Sequence, residues 1–243
     1  MPEVPEDQRP VTSVLDELAM REVRVSDRRA LALLISLVAF LVLLPVLEKN
    51  KIGSLIVVVS IYATLVTATL QIAALTGRPR RIVPTIFLAA CSMAFILLSH
   101  IMPVRPLIAT SQGLLIAFFT VMAVGLFVAL GQPGSITKGR LYLSVSAYLI
   151  LAMVWSSAYA LLETLHPGSF AASSTVRGGV ISRGSLFYLS LTTLTTIGSA
   201  DVLPVTPIAR VLAALEAATG VLYVAITIAR LASAYNGRSH RPA

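Results

Sequence analysis

Six stretches of this chain are apolar for long enough to cross about 30 Å of hydrocarbon as helices, which takes roughly 17 to 25 residues each. They cover 30–47, 52–75, 82–102, 106–130, 141–165 and 208–235. With 56% hydrophobic and only 12% charged residues, the chain is far from the roughly one quarter charged of a soluble domain. The fold class that follows is an all-α integral membrane protein.

Basic residues set the orientation. Arg21, Arg24, Arg28 and Arg29 precede the first span, and Arg78, Arg80 and Arg81 follow the second. Lys138 and Arg140 follow the fourth, and Arg230, Arg238 and Arg241 lie at the end. Placing these on the cytoplasmic side leaves Lys49, Lys51, Arg105, Arg177, Arg183 and Arg210 outside, and it puts both termini in the cytoplasm of a cell-membrane protein. The formal charge of +8 is thus spent in short clusters between spans, not in a phosphate-binding stripe, so no nucleic-acid partner is expected. The first 29 residues lack the apolar core of a signal peptide, so the first span is expected to direct insertion. Val11, Val14, Leu15 and Leu18 fall at helical spacing there, which fits either a short amphipathic helix or a charged tail. Cys91 is the only cysteine, which rules out an intrachain disulfide. No internal repeat is visible, which argues against a transporter built from inverted halves.

Between the last two spans, residues 168–207 are rich in Ser, Thr and Gly and too polar to cross. The run from Leu186 to Asp201 is apolar and hydroxyl-rich and ends in a glycine-containing turn. It suits a short helix over about 185–195 that enters from outside and returns as extended chain. A re-entrant segment leaves carbonyls without helical partners, which a membrane tolerates only beside protein or a water-filled path. Four copies around an axis would make rings of oxygen able to replace a cation's hydration shell.

Thr195-Thr196-Ile197-Gly198-Ser199-Ala200-Asp201 resembles the Thr-Thr-Val-Gly-Tyr-Gly-Asp signature of the potassium-channel superfamily. Pro204, Arg210 and Gly220 follow at the places that family uses, and the similarity runs without gaps from about Tyr188 to Tyr235. The first four spans are similar to a six-helix channel's sensor domain only in number and position. The resemblance implies a homotetramer in a lipid bilayer with a sensor-like domain over 30–130, a linker over 131–140 and a pore domain over 141–235. The pore domain would comprise an outer helix, a re-entrant pore helix with its filter, and an inner helix; segments 1–29 and 236–243 would be cytoplasmic. It implies a filter of Thr195 to Asp201 in which backbone oxygens of Thr196, Ile197 and Gly198 bind permeant K+, with Na+ as an alternative, and no cofactor. On the inner helix, Gly220 stands at the family's hinge, and Ala217, Val221, Val224, Ile228 and Ala232 would line the pore and its gate. Glu163, Tyr188, Thr192, Arg210 and Glu216 would brace the pore loop. Asp201 would form an acidic ring at the mouth, or tie the filter to the pore helix, or both.

Two residues depart from the signature. Ser199 replaces an aromatic ring, and its hydroxyl would bind water or the pore helix instead. Ala200 replaces a glycine whose left-handed backbone costs an L-residue about 1 to 2 kcal/mol. Reduced potassium preference follows as an expectation. The fourth span carries no charge between residues 106 and 130, so little voltage sensing is expected, and no gating ligand is identified.

Glu163 and Glu216 sit at or inside spans, where an ionisable group is costly and is usually paired or functional; Arg210 is the basic residue nearest them at that end. Trp155, Tyr148 and Tyr159 read as packing residues. Gly198-Ser199-Ala200 also has the look of a nucleophile turn, yet none of His100, His166 and His240 follows Ser199 within a span to act as its base. An enzyme is not expected. The rival reading is a non-conducting sensor or regulatory protein that keeps the channel fold.

Overall fold

A computed structural model describes residues 27–47, 82–131, 137–173, 181–199 and 201–239. The amphipathic segment before residue 27, the span expected over 52–75, Ala200 and the last four residues lie outside them.

Helix α1 (Asp27–Leu47) and helix α2 (Ile82–Ile101) are followed by α3 (Arg105–Gly131) and α4 (Lys138–Leu165). A short strand β1 (Phe170–Ala172), helix α5 (Arg183–Leu194), strand β2 (Val202–Pro204) and the long helix α6 (Pro207–Ser239) complete the order. Helix starts follow local chemistry. Thr137 caps α4 by accepting from the Arg140 amide, and Asp27 Oδ1 accepts from the Gly139 amide at 2.7 Å. That second bond ties the start of α1 to the start of α4 and satisfies one of the amides a helix leaves open. Pro207 opens α6, where a missing N–H costs nothing, while Thr206 Oγ1 accepts from the Ala209 amide.

Arg105–Gly131, Lys138–Leu165 and the Pro207–Arg230 part of α6 are long and apolar enough to cross a membrane, and Val83–Ser99 is a shorter apolar helix. This is an all-α membrane fold. Polar side chains on these helices are satisfied locally: Ser92, Ser99, Ser146 and Ser157 each donate to a carbonyl three or four residues back. That is the arrangement a hydroxyl needs where no water is available.

One hydrophobic cluster joins α1, α2, α3 and α4 through Leu33, Leu37, Ile96, Phe118, Leu126 and Ile150. A second joins α4, α5, the strands and α6 through Tyr159, Phe170, Leu186, Leu189, Val202 and Ala209. Helix α4 takes part in both, packing on α1 and α3 at one side and on α5 and α6 at the other. The two strands pair antiparallel, Phe170 opposite Pro204 and Ala172 opposite Val202. No strand is expected here from sequence; the pairing arises because the chain leaving α4 and the chain leading into α6 run side by side in opposite directions.

Candidate functional site: the pore loop and its supports

Helix α5 starts two residues earlier than its expected beginning at Ser185. Ser182 is its N-cap, accepting from the Ser185 amide at 3.1 Å, a role for which serine is well suited. At the other end the helix stops at Leu194, with Thr195 as C-cap. The Thr196 amide donates to the Thr193 carbonyl at 2.9 Å and the Ile197 amide to the Thr192 carbonyl at 2.9 Å. These two bonds are the paired closures of a Schellman cap, and they require a left-handed residue where Thr196 stands. Thr196 has φ 59°. Glycine is the usual occupant of such a site, and a β-branched residue there is strained by about 1 to 2 kcal/mol. The Thr196 hydroxyl donates to the Thr195 carbonyl at 2.7 Å, a contact that offsets part of that strain.

The Gly198 amide also donates to the Thr192 carbonyl, at 3.1 Å, and Gly198 takes φ 79°. Thr192 itself is buried and its hydroxyl reaches the carbonyls of Tyr188 and Leu189. The amides of Thr196 to Gly198 are thereby folded back onto the helix end. Among the described residues no donor reaches the carbonyl oxygens of Thr196, Ile197 or Gly198, and Thr195 to Gly198 are exposed, Ile197 at 78%. This is a row of free acceptors at the partly negative end of a short helix.

Past Gly198, the Ser199 hydroxyl accepts from the amides of Asp201 and Val202, both at 3.3 Å. Its engagement is thus with its own turn, and not with the pore helix as one expectation had it, because a serine oxygen two or three residues ahead of free amides closes such a turn readily. The Asp201 carbonyl accepts from the Ser173 amide at 2.7 Å, continuing the strand pair, and the Asp201 side of the loop is exposed. In the last turn of α4, Glu163 accepts from the amides of Gly168 and Phe170 at 2.8 and 3.1 Å. Its carboxylate wraps the turn that follows α4. Arg210 is exposed and donates from Nε to the Pro204 carbonyl at 3.4 Å. Among the described residues it makes no ion pair with either glutamate. Tyr188 is 47% exposed, and its carbonyl, not its ring, meets Thr192.

The inner helix α6 runs unbroken through Gly220. A β-carbon at that position would collide with the backbone carbonyl of Leu194, whose carbon lies 2.9 Å from the place it would take. The glycine therefore serves close packing of α6 on the end of α5, whatever bending it also permits. The same Leu194 carbonyl accepts from the Tyr148 hydroxyl at 2.8 Å. One turn before Gly220, the Glu216 carboxyl is fully buried and meets the hydroxyls of Tyr159 and Ser190. Tyr148 and Tyr159 read from sequence as packing; in the structure the Tyr148 hydroxyl holds the end of α5 and the Tyr159 hydroxyl holds Glu216 of α6. Their separation of three helical turns puts them on one stripe of α4, and that spacing was the available signal. Val221, Val224 and Ile228 are exposed on the single chain at 55%, 45% and 60%, and Ala217 is half-buried. The side chain of Ala232 lies outside the described residues.

Among the described residues no group of three or more His, Cys, Asp or Glu side chains is placed to hold a metal ion.

Residues 145–236 match a family model described as an ion channel. No curated protein and no solved structure matches the chain. The matched stretch begins inside α4 and ends inside α6, so it encloses α5, the turn after it and the side chains that hold them, and that part of the chain is similar to an ion-channel domain.

Proposed function

We propose that the chain is one subunit of a homotetrameric cation channel of the cell membrane, conducting potassium and other monovalent cations with reduced potassium preference and little voltage sensing. The observation that carries this reading is the exposed row of Thr196, Ile197 and Gly198 carbonyls without donors, at the end of a capped pore helix. Such oxygens inside a membrane protein call for a cation or water. One chain supplies one strand, and a closed ring of oxygens needs copies around an axis. The apolar face of α6 at Val221, Val224 and Ile228, uncovered on a single chain, suits the lining of such an assembly and a gate that closes by dewetting. Ser199 ties its hydroxyl to the following turn, so it supplies no ring to brace the filter from behind. That supports a looser outer filter. Purified protein, checked for four subunits by native mass spectrometry, should release K+ and Na+ from loaded liposomes. A stable monomer, or a tetramer without flux, would leave the non-conducting regulatory reading in its place.

A further inference from the structure

Three oxygen–oxygen contacts meet at the junction of α4, α5 and α6. The Tyr159 hydroxyl donates to Glu216 Oε2, Ser190 Oγ lies against Glu216 Oε1, and the same Ser190 hydroxyl donates to the Ala152 carbonyl at 2.8 Å. Three hydrogen bonds need three protons. Tyr159 and Ser190 bring one each; a full bond at every contact takes the third from Glu216.

The surroundings agree with that count. Tyr159, Ser190 and Glu216 are all fully buried. Among the described residues no Lys, Arg or His contacts the carboxyl; Arg210, on the same helix, is engaged by the Pro204 carbonyl. The titratable groups that face it are Tyr159 and, farther off, Tyr148, both from α4. Helix α5 presents only Ser190 to it, and on α6 itself Tyr223 donates to the Ser144 carbonyl. A carboxylate buried in a membrane span without a cation is expensive, whereas the acid is a neutral donor and acceptor that fits both hydroxyls.

We infer that Glu216 is held as the neutral carboxylic acid, donating from Oε1 to Ser190 Oγ while accepting from Tyr159. In this state it is a positioning residue that fixes the pore helix between the outer and inner helices. The relay runs from Glu216 through Ser190 to the Ala152 carbonyl, and it joins three helices one turn from the contact of Gly220 with Leu194. Its role in a pore rests on the channel reading; the proton itself does not.

Infrared difference spectra of wild type and Glu216→Gln at neutral pH test the proton. The expected result is loss of a protonated carboxylic acid C=O band in the variant, with the carboxylate bands unchanged; loss of carboxylate bands instead would overturn the inference. Glutamine reproduces the acid's donor and acceptor, so Glu216→Gln should fold and melt as wild type does, and failure of this variant to fold would also overturn it. The positioning role is read from amide exchange at Ile197 and Gly198, which should speed up by roughly tenfold in Glu216→Ala, the factor one lost buried hydrogen bond gives, and stay at the wild-type rate in Glu216→Gln. Equal rates in all three proteins would overturn it. Ion flux from the same wild-type sample reports separately: an acid band in a protein that passes no ions would sink the channel reading and leave the proton in place.

Discussion

The backbone carbonyl of Leu194 occupies the space that a side chain on Gly220 would need. A backbone atom cannot swing aside, so Gly220→Ala should destabilise the protein by about 1 to 3 kcal/mol through overpacking. In an unobstructed helix interior the same change is stabilising by about 0.5 to 1 kcal/mol, so the sign of the effect is diagnostic. Thermal unfolding in detergent, followed by the fluorescence of the single tryptophan, Trp155, checks it.

Tyr148 donates to that same carbonyl, and removing the hydroxyl leaves the Leu194 oxygen with one partner fewer. Tyr148→Phe should cost about 0.5 to 1.5 kcal/mol, the net worth of one hydrogen bond. The ring contact with Tyr223, at 5.4 Å between centroids, is retained in the variant. Chemical denaturation with an unchanged slope and a lowered midpoint is the expected outcome.

Thr196 holds a left-handed backbone that glycine adopts freely. Thr196→Gly should relieve about 1 to 2 kcal/mol of strain and give back about 0.5 to 1 kcal/mol through the freer unfolded chain, leaving stability unchanged or slightly raised. Thr196→Val keeps the strain and removes the hydroxyl bond to Thr195, so it should be less stable than wild type. Melting temperatures of the two variants, measured side by side, decide this.

Glu163 holds two amides of the turn after α4 with two oxygens. Glu163→Gln can keep only one acceptor, which should cost about 1 to 3 kcal/mol. The effect should be local: hydrogen exchange at Gly168 and Phe170 accelerates while amides in the middle of α4 keep their protection.

The spans at Arg105–Gly131, Lys138–Leu165 and Pro207–Arg230 were legible because long apolar runs are a sum over many residues and survive local exceptions. The short helix α5 and the turn after it were legible through the run from Leu186 to Asp201, whose members are neighbours in the chain. What stayed hidden is three-body or backbone-borne. Tyr159, Ser190 and Glu216 meet across separations of 57 and 26 residues, and no periodicity connects them. The pairing of Phe170–Ala172 with Val202–Pro204 is set by the closure of the loop and leaves little mark in strands of three residues. The cap at Thr196 was masked because the residue type contradicts the usual glycine at that site. The left-handed strain expected at Ala200 concerns a position outside the described residues, and a non-glycine left-handed backbone occurs at Thr196.

Selectivity is where the chain departs furthest from the filter signature. Ser199→Tyr with Ala200→Gly should raise potassium preference, and each change alone should do less, because both act on one turn. Ser199→Tyr also removes the acceptor for the Asp201 and Val202 amides, so the single variant should be less stable than the double one.

Whether this chain forms a cation pore through the Thr196 to Gly198 oxygens is tested most directly by the reversal potential of the purified protein in a planar bilayer under opposed K+ and Na+ gradients. A cation current should reverse between zero and the potassium equilibrium potential, shifted toward the latter in the double variant. An absence of current, or a current carried by anions, would contradict the channel reading.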